Sequence, residues 1–178
     1  IREELTAAAA NPGFLLRMRG VFLSVSALVV LGVFLATRRS GGPWESLFAA
    51  GLVATSWEVA YHSRWVAPDM ILTALVALYI AALLRVHEGK GCLISCALLA
   101  GLATGTKYTA GILLLPILLL WWRTTPERQP RRLAGALAAF VGAFLVSTPG
   151  ALLQPVRFWR DIAFERFHYS IGHYGFGV

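Results

Sequence analysis

Residues 92–122 read CLISCALLAGLATGTKYTAGILLLPILLLWW, and Lys107 is the only charged residue in this stretch. The apolar arms on either side of Lys107 are each shorter than the roughly 20 helical residues that cross the hydrocarbon core of a bilayer. Two arrangements are therefore open. The stretch forms either one long helix or two short helices that meet at Lys107, and only the second puts both of its ends on the same membrane face.

The composition is that of an integral membrane protein. Apolar residues make up 57% of the chain and charged residues only 14%, whereas soluble domains carry about 25% charged residues. The excess of 16 Lys and Arg over 9 Asp and Glu gives a net charge of +7. In a chain this apolar, basic loops held at anionic lipid explain that charge. We therefore expect the lipid bilayer as a partner and no nucleic acid.

The hydropathy pattern predicts an all-α, polytopic transmembrane helix bundle within residues 1–153, followed by an outer-face segment at 154–178. Residues 156–170 of that segment are predicted to form a helix lying flat at the membrane interface. The bundle would contain about six apolar membrane segments, at residues 21–37, 44–61, 66–84, 92–105, 108–122 and 133–153.

Loop charges favour two short helices over one long helix. Only with a break at Lys107 do the basic loops at 38–39, 85–91 and 123–132 share one face. By the positive-inside rule that face is cytoplasmic. The opposite, outer face would then carry His62, Arg64, Asp69 and Lys107, with Glu58 just beneath it. The protein is thus predicted to be a multi-pass protein of the inner or plasma membrane with its site facing outward.

Charged residues near a membrane edge are candidates for function, but each has a simpler explanation. Asp69 follows Pro68 in the first turn of a predicted helix, where the helix dipole favours a carboxylate. Lys107 needs an anionic partner, or it extends its side chain to lipid headgroups. Glu58 either contributes to a site or pairs with His62 or Arg64 to offset burial.

The C-terminal segment combines aromatic and charged side chains. His168 and His173 are a weak signal for a metal site, because no third ligand is near them in the sequence. The aromatic residues predicted to anchor the helix among lipid headgroups are Phe158, Trp159, Phe164, Phe167 and Tyr169. The residues predicted to face water are Arg157, Arg160, Asp161, Glu165 and Arg166.

Four parts of the chain, one of them made of two separate stretches, together resemble glycosyltransferase family 39, the GT-C membrane enzymes that include protein O-mannosyltransferases and lipid A aminoarabinose transferases. Residues 61–70, YHSRWVAPDM, resemble the family's Ser-Arg followed by an Asp at a helix start. Residues 101–109, GLATGTKYT, resemble its Gly-rich helix that ends in Thr/Ser-Lys-aromatic. The other two parts are LLRMRGVFLS at 15–24 with RRSGG at 38–42, and HYSIGHYG at 168–175.

The resemblance implies transfer of a sugar from a polyprenyl-phosphate carrier to a protein, lipid or glycan acceptor at the outer face, with inversion at the anomeric carbon. Cationic groups would stabilise the departing phosphate, a role for Lys107 and Arg64. Asp69 would orient sugar or acceptor. The resemblance also implicates Arg19 at the lipid phosphate, Tyr108 as a substrate-binding residue, and His173 as a candidate ligand of a possible divalent metal ion. Glu58 is a further candidate for substrate binding, because of its place among the charges of the outer face.

Members of this family carry the principal catalytic Asp in the first outer loop. No matching acidic motif stands in the chain, so we expect this base to precede Ile1 and the chain to be an excerpt. Two other classes stay open. A transporter also uses broken helices, but it would show two related halves, and no internal repeat is present. A non-catalytic membrane subunit would keep the fold without the chemistry.

Overall fold

The computed structural model describes residues 11–64, 68–124 and 129–170, and every regular element among them is a helix. This confirms the predicted all-α class. The α-helices are α1 (Pro12–Ser40), α2 (Pro43–Ala54), α3 (Trp57–His62), α4 (Pro68–His87), α5 (Leu93–Thr106), α6 (Leu114–Thr124), α7 (Pro130–Ser147), α8 (Gly150–Leu153) and α9 (Pro155–Ser170), and a 3₁₀ helix (Tyr108–Leu113) lies between α5 and α6.

Three of these helices, α1, α4 and α7, are long and apolar enough to cross a membrane. Helix α1 is the longest, with 29 residues, about 43 Å at 1.5 Å per residue. It begins well before the predicted residue 21, because the Asn11 side chain accepts hydrogen bonds from the N–H groups of Gly13 and Phe14, and Pro12 occupies the first turn. This Asn-Pro pair is a helix-start signal.

Helices α1 and α4 run in the same direction in close contact. A Cβ atom added to Gly32 of α1 would lie 2.7 Å from Cβ of Ala77 in α4, so only glycine permits this approach. Further along both helices, Nη1 of Arg39 lies 3.1 Å from Oε2 of Glu88, just beyond the end of α4. The carboxyl ends of α1 and α4 therefore lie at the same end of the bundle.

The chain folds back at Lys107, which confirms the break predicted there and excludes one long helix. Lys107 is extended, with φ −142° and ψ 119°. Beyond it the 3₁₀ helix returns along α5, so that a Cβ atom on Gly111 would be 3.8 Å from Cγ2 of Thr104. The α-helix resumes only at Leu114, which places Pro116 in its first turn, where a proline costs no backbone hydrogen bond.

Helix α7 packs against α5 through small residues. A Cβ atom on Gly101 would collide with the carbonyl oxygen of Phe140 and lie 2.9 Å from Cβ of Ala143. One turn further, a Cβ atom on Gly105 would collide with the hydroxyl of Ser147. The Gly-xxx-Gly pair thus permits close helix approach, as its sequence indicates, and α5 and α7 run in the same direction.

The three basic loops meet at one end of this bundle, as the charge pattern predicts. Arg39 pairs with Glu88, and Arg132 of α7 lines a cavity together with Gly89 and Gly91. We call this the basic end. Asp69, Lys107 and the end of α7 lie at the other end, where the hydroxyl of Thr148 donates to the carbonyl of Gly105 at 3.4 Å.

Two of the six predicted segments are not continuous helices. Segment 44–61 divides at Thr55 and Ser56, where Ser56 is extended and the Thr55 hydroxyl donates to the carbonyl of Gly51. Such side chains offer the backbone an alternative to the helix. Segment 133–153 begins earlier, at Pro130, and ends at Ser147, because Pro149 disfavours helical geometry at the residue before it.

The C-terminal helix is confirmed as α9, but one of its predicted headgroup anchors has another partner. The ring of Phe158 makes an edge contact with the ring of Phe144 in α7, with centroids 6.3 Å apart. Trp159, Phe164 and Phe167 are exposed, as anchors would be, and the side chain of Tyr169 lies outside the described residues. Helix α9 is therefore held to the bundle by its Phe158 face.

The α5–α7 contact generates a prediction with an internal control. Gly101→Ala should lower the free energy of unfolding by about 1–3 kcal/mol, because the new methyl group overpacks a rigid backbone contact. Gly142→Ala in the same helix pair should not destabilise, since a Cβ atom there meets nothing within 4 Å. Thermal unfolding of both variants in detergent measures the difference, and equal melting temperatures would contradict the close approach.

Candidate functional site

The candidate site is built on an ion pair between the two charges that the sequence singles out. Nζ of Lys107 donates to Oδ1 of Asp69 at 2.6 Å. The two side chains are 42% and 44% exposed. A half-exposed pair of this kind contributes at most about 1 kcal/mol to stability. Its position, rather than its strength, is therefore the informative property.

Local structure places both partners. Pro68 begins α4, so Asp69 stands in the first turn of the helix, where the unpaired N–H groups and the helix dipole favour a carboxylate. The Lys107 N–H completes α5 by donating to the carbonyl of Ala103 at 2.9 Å. The chain then becomes extended and carries the lysine out between two helices. Asp69 is thus a helix-start charge, as its place after Pro68 predicts, and it is also the ion-pair partner of Lys107.

A buried hydrogen bond fixes the far end of the returning segment. The hydroxyl of Tyr79, in the middle of α4, donates to the carbonyl of Leu113 at 2.7 Å. Tyr79 is only 2% exposed, so its hydroxyl needs such a partner. Helix α4 therefore contacts both ends of the segment 107–113. Asp69 binds Lys107 at the start of the segment, and Tyr79 binds Leu113 at its end.

Helix α3 brings a second charged group to the same end. Oε2 of Glu58 lies 3.4 Å from Nε2 of His62, so the predicted pairing of Glu58 is present. The Glu58 side chain is 76% exposed, so this pair does not compensate for burial within the chain. Val59 of α3 packs against the cluster that contains Met70, so α3 lies beside the first turn of α4.

Two of the remaining predicted site residues, Arg64 and Arg19, lie among the described residues. Arg64 is exposed, and only residues 65–67 separate it from α4, so it lies at the same end of the bundle. Arg19 is exposed on α1, next to Met18, which packs against the cluster that α1 shares with α4. His173 lies outside the described residues. Within the described part of the chain, no three metal-ligating side chains cluster.

Lys107 also faces a cleft of about 500 Å³, within the size range of small-ligand sites. Its lining residues are Thr106, Lys107, Tyr108, Thr109 and Glu165. Tyr108, which follows Lys107 in the sequence, lines the same cleft. Glu165 comes from α9, which brings the C-terminal segment to the broken hairpin that α5 and the 3₁₀ helix form at Lys107.

Glu165 does not face water as its sequence context predicts. It was predicted to face water, but it is partly buried and lines the cleft. Phe158, Ile162 and Glu165 follow one another at spacings of four and three residues, and all three are partly buried between exposed neighbours. This spacing marks one face of a helix. The same periodicity in the sequence could have identified the inward position of Glu165.

The arrangement can bind an anion next to a neutral, hydrogen-bonding group. The ammonium of Lys107, oriented by Asp69, is a compact cation suited to phosphate. The hydroxyls and the aromatic ring of the adjacent residues suit a polar organic group. The apolar helices place the chain in the class of helical membrane proteins. A site of this kind at one end of the bundle suits a ligand that is anionic and partly apolar.

Comparison with protein families makes this class specific. The family model for dolichyl-phosphate-mannose-protein mannosyltransferases matches residues 8–154. The chain therefore belongs to this family, which confirms the resemblance to GT-C membrane glycosyltransferases. Membership favours an enzyme over a transporter. No curated protein and no solved structure gives a significant match to the chain.

Proposed function

We propose that the protein transfers a sugar from a polyprenyl-phosphate carrier to an acceptor at the non-cytoplasmic face of the membrane, with inversion at the anomeric carbon. The family supports a dolichyl-phosphate mannose type of donor and a protein acceptor. The observation that carries the proposal is the 2.6 Å pair of Lys107 and Asp69 beside the cleft. This pair lies at the end of the bundle opposite the basic loops.

Lys107 is proposed to contact the phosphate of the donor. Cleavage of the bond between sugar and phosphate leaves an additional negative charge on the phosphate oxygen. A preorganised cation stabilises that developing charge more than it stabilises the bound donor, and only such a difference accelerates the reaction. Asp69 holds the ammonium in place and, in this proposal, orients the sugar or the acceptor.

The other predicted substrate residues have supporting roles in this proposal. Arg64 lies at the same end as Lys107 and supplies a second cation for the phosphate, while Arg19 meets the lipid phosphate from α1. Tyr108 contributes its ring to the cleft. Glu58 acts through its pair with His62 on α3, which packs beside the start of α4. A divalent metal at His173 is a further element of the proposal.

Substituting the ion pair should impair transfer without unfolding the protein. Lys107→Met and Asp69→Asn in the full-length protein should each lower sugar transfer at least about tenfold, or ~1.4 kcal/mol of transition-state stabilisation. Because the pair is half exposed, the melting temperature in detergent should change little. Transfer from dolichyl-phosphate mannose is the measurement.

Lys90→Met is the matched control for this experiment. Lys90 is an exposed lysine at the basic end, 3.9 Å from Glu88, so its loss removes the same charge far from the proposed site. It should leave transfer unchanged. Normal transfer by the Lys107→Met protein, or an equal loss with Lys90→Met, would show that Lys107 is only a lysine at a membrane edge.

The orientation of the bundle can be tested by thiol labelling. In a protein whose Cys92 and Cys96 are replaced by Ala, a single Cys at Thr109 should react with a membrane-impermeant thiol reagent added to intact cells. A single Cys at Gln129, an exposed position at the basic end, should react only after permeabilisation. The opposite labelling pattern would place the cleft on the cytoplasmic face and contradict the proposal.

A further inference from the structure

We propose that Glu165 of α9 binds the sugar of the donor, and that α9 forms the sugar-binding wall of the cleft. This inference rests on the proposed function, because it assigns the sugar end of the site whose phosphate end is Lys107. It concerns a residue outside the family match, which ends at residue 154.

The position of Glu165 is determined by helix geometry. Phe158 packs on Phe144 of α7, and Glu165 follows Phe158 by seven residues, which is close to two full turns. The two side chains therefore share the face of α9 that contacts the bundle. A carboxylate on this face loses part of its hydration, and such a group is retained where it finds hydrogen-bond donors. A ligand in the cleft can supply them.

The charges of the cleft select the orientation of the ligand. Lys107 provides a cation on the wall formed by the broken hairpin, and Glu165 provides an anion on the wall formed by α9. A sugar linked to a carrier phosphate has an anionic group joined to a neutral group rich in hydroxyls. Repulsion between Glu165 and the phosphate directs the phosphate toward Lys107 and leaves the sugar against α9.

The chemistry of the α9 wall fits a sugar. An ionised carboxylate only accepts hydrogen bonds, and its two oxygens can accept from two neighbouring hydroxyls. Hydrogen bonds to a charged acceptor are stronger than those between neutral groups. Tyr108, which is 42% exposed, offers an aromatic ring in the same cleft for the apolar face of the sugar ring. Glu165 and Tyr108 together thus match a polyhydroxylated ring rather than a second phosphate.

The test compares two ligands that differ only in the sugar. Binding of dolichyl phosphate and of dolichyl-phosphate mannose to the full-length protein is measured in detergent. Glu165→Ala should weaken binding of the mannosyl ligand at least about tenfold, since two hydrogen bonds to a charged group are lost. Binding of dolichyl phosphate should stay unchanged or become tighter, because a repulsive carboxylate is gone.

Asp161→Ala is the matched control, because Asp161 is a carboxylate one turn away on the same helix. It is exposed, lies 4.0 Å from Arg157, and does not line the cleft at Lys107. It should leave the affinities for both ligands unchanged. Glu165→Gln preserves the shape of the side chain and is the second variant in case Glu165→Ala disturbs folding. It should weaken binding of the mannosyl ligand too, but less than Glu165→Ala.

The outcomes separate this inference from the proposed function. Equal weakening of both ligands by Glu165→Ala and Glu165→Gln, or no weakening of either, would overturn the sugar-binding role while leaving the phosphate site at Lys107 intact. A wild-type protein that binds neither ligand would overturn the proposed function itself. Selective loss of the mannosyl ligand, with Lys107→Met weakening both, supports the two assignments together.

Discussion

The candidate site depends on the ion pair between Lys107 and Asp69. This pair forms because the apolar chain folds back at Lys107. An ammonium group at this position must be kept away from hydrocarbon, and the first turn of α4 supplies a carboxylate at 2.6 Å. Because both groups are half exposed, the pair contributes little stability of its own. Its effect is to hold a cation in a defined place at the end of the bundle opposite the basic loops.

Close helix packing fixes the positions of the helices that carry the ion pair. Gly32 lets α1 approach α4, while Gly101 and Gly105 let α7 approach α5. In a bilayer, contacts of this kind replace the hydrophobic effect as the force between helices. Tyr79 then ties the far end of the 3₁₀ helix to α4. The segment that carries Lys107 is thus fixed at both ends, and Glu165 of α9 lines the cleft beside it.

Much of this arrangement could be predicted from the sequence, for identifiable reasons. The break at Lys107 and the meeting of the basic loops follow from segment length and charge, which depend on the membrane rather than on tertiary detail. The helix ends near Thr55 and Pro149 were not predicted, because a hydropathy pattern does not show where side-chain hydrogen bonds or a proline end a helix. Glu165 was misplaced because the charged residues around it suggest a solvated helix. Its spacing from Phe158 and Ile162 marks one helix face, and the contact of Phe158 with Phe144 shows that this face turns inward.

The central claim is that Asp69 and Lys107 act as one unit on the donor, and a double-mutant cycle for sugar transfer tests it most directly. The rate of transfer is compared among the wild type, Asp69→Asn, Lys107→Met and the double variant of the full-length protein. If the carboxylate works by holding the ammonium, the double variant should be no slower than Lys107→Met alone. Fully additive losses would contradict this account, because they would show that the two residues act independently.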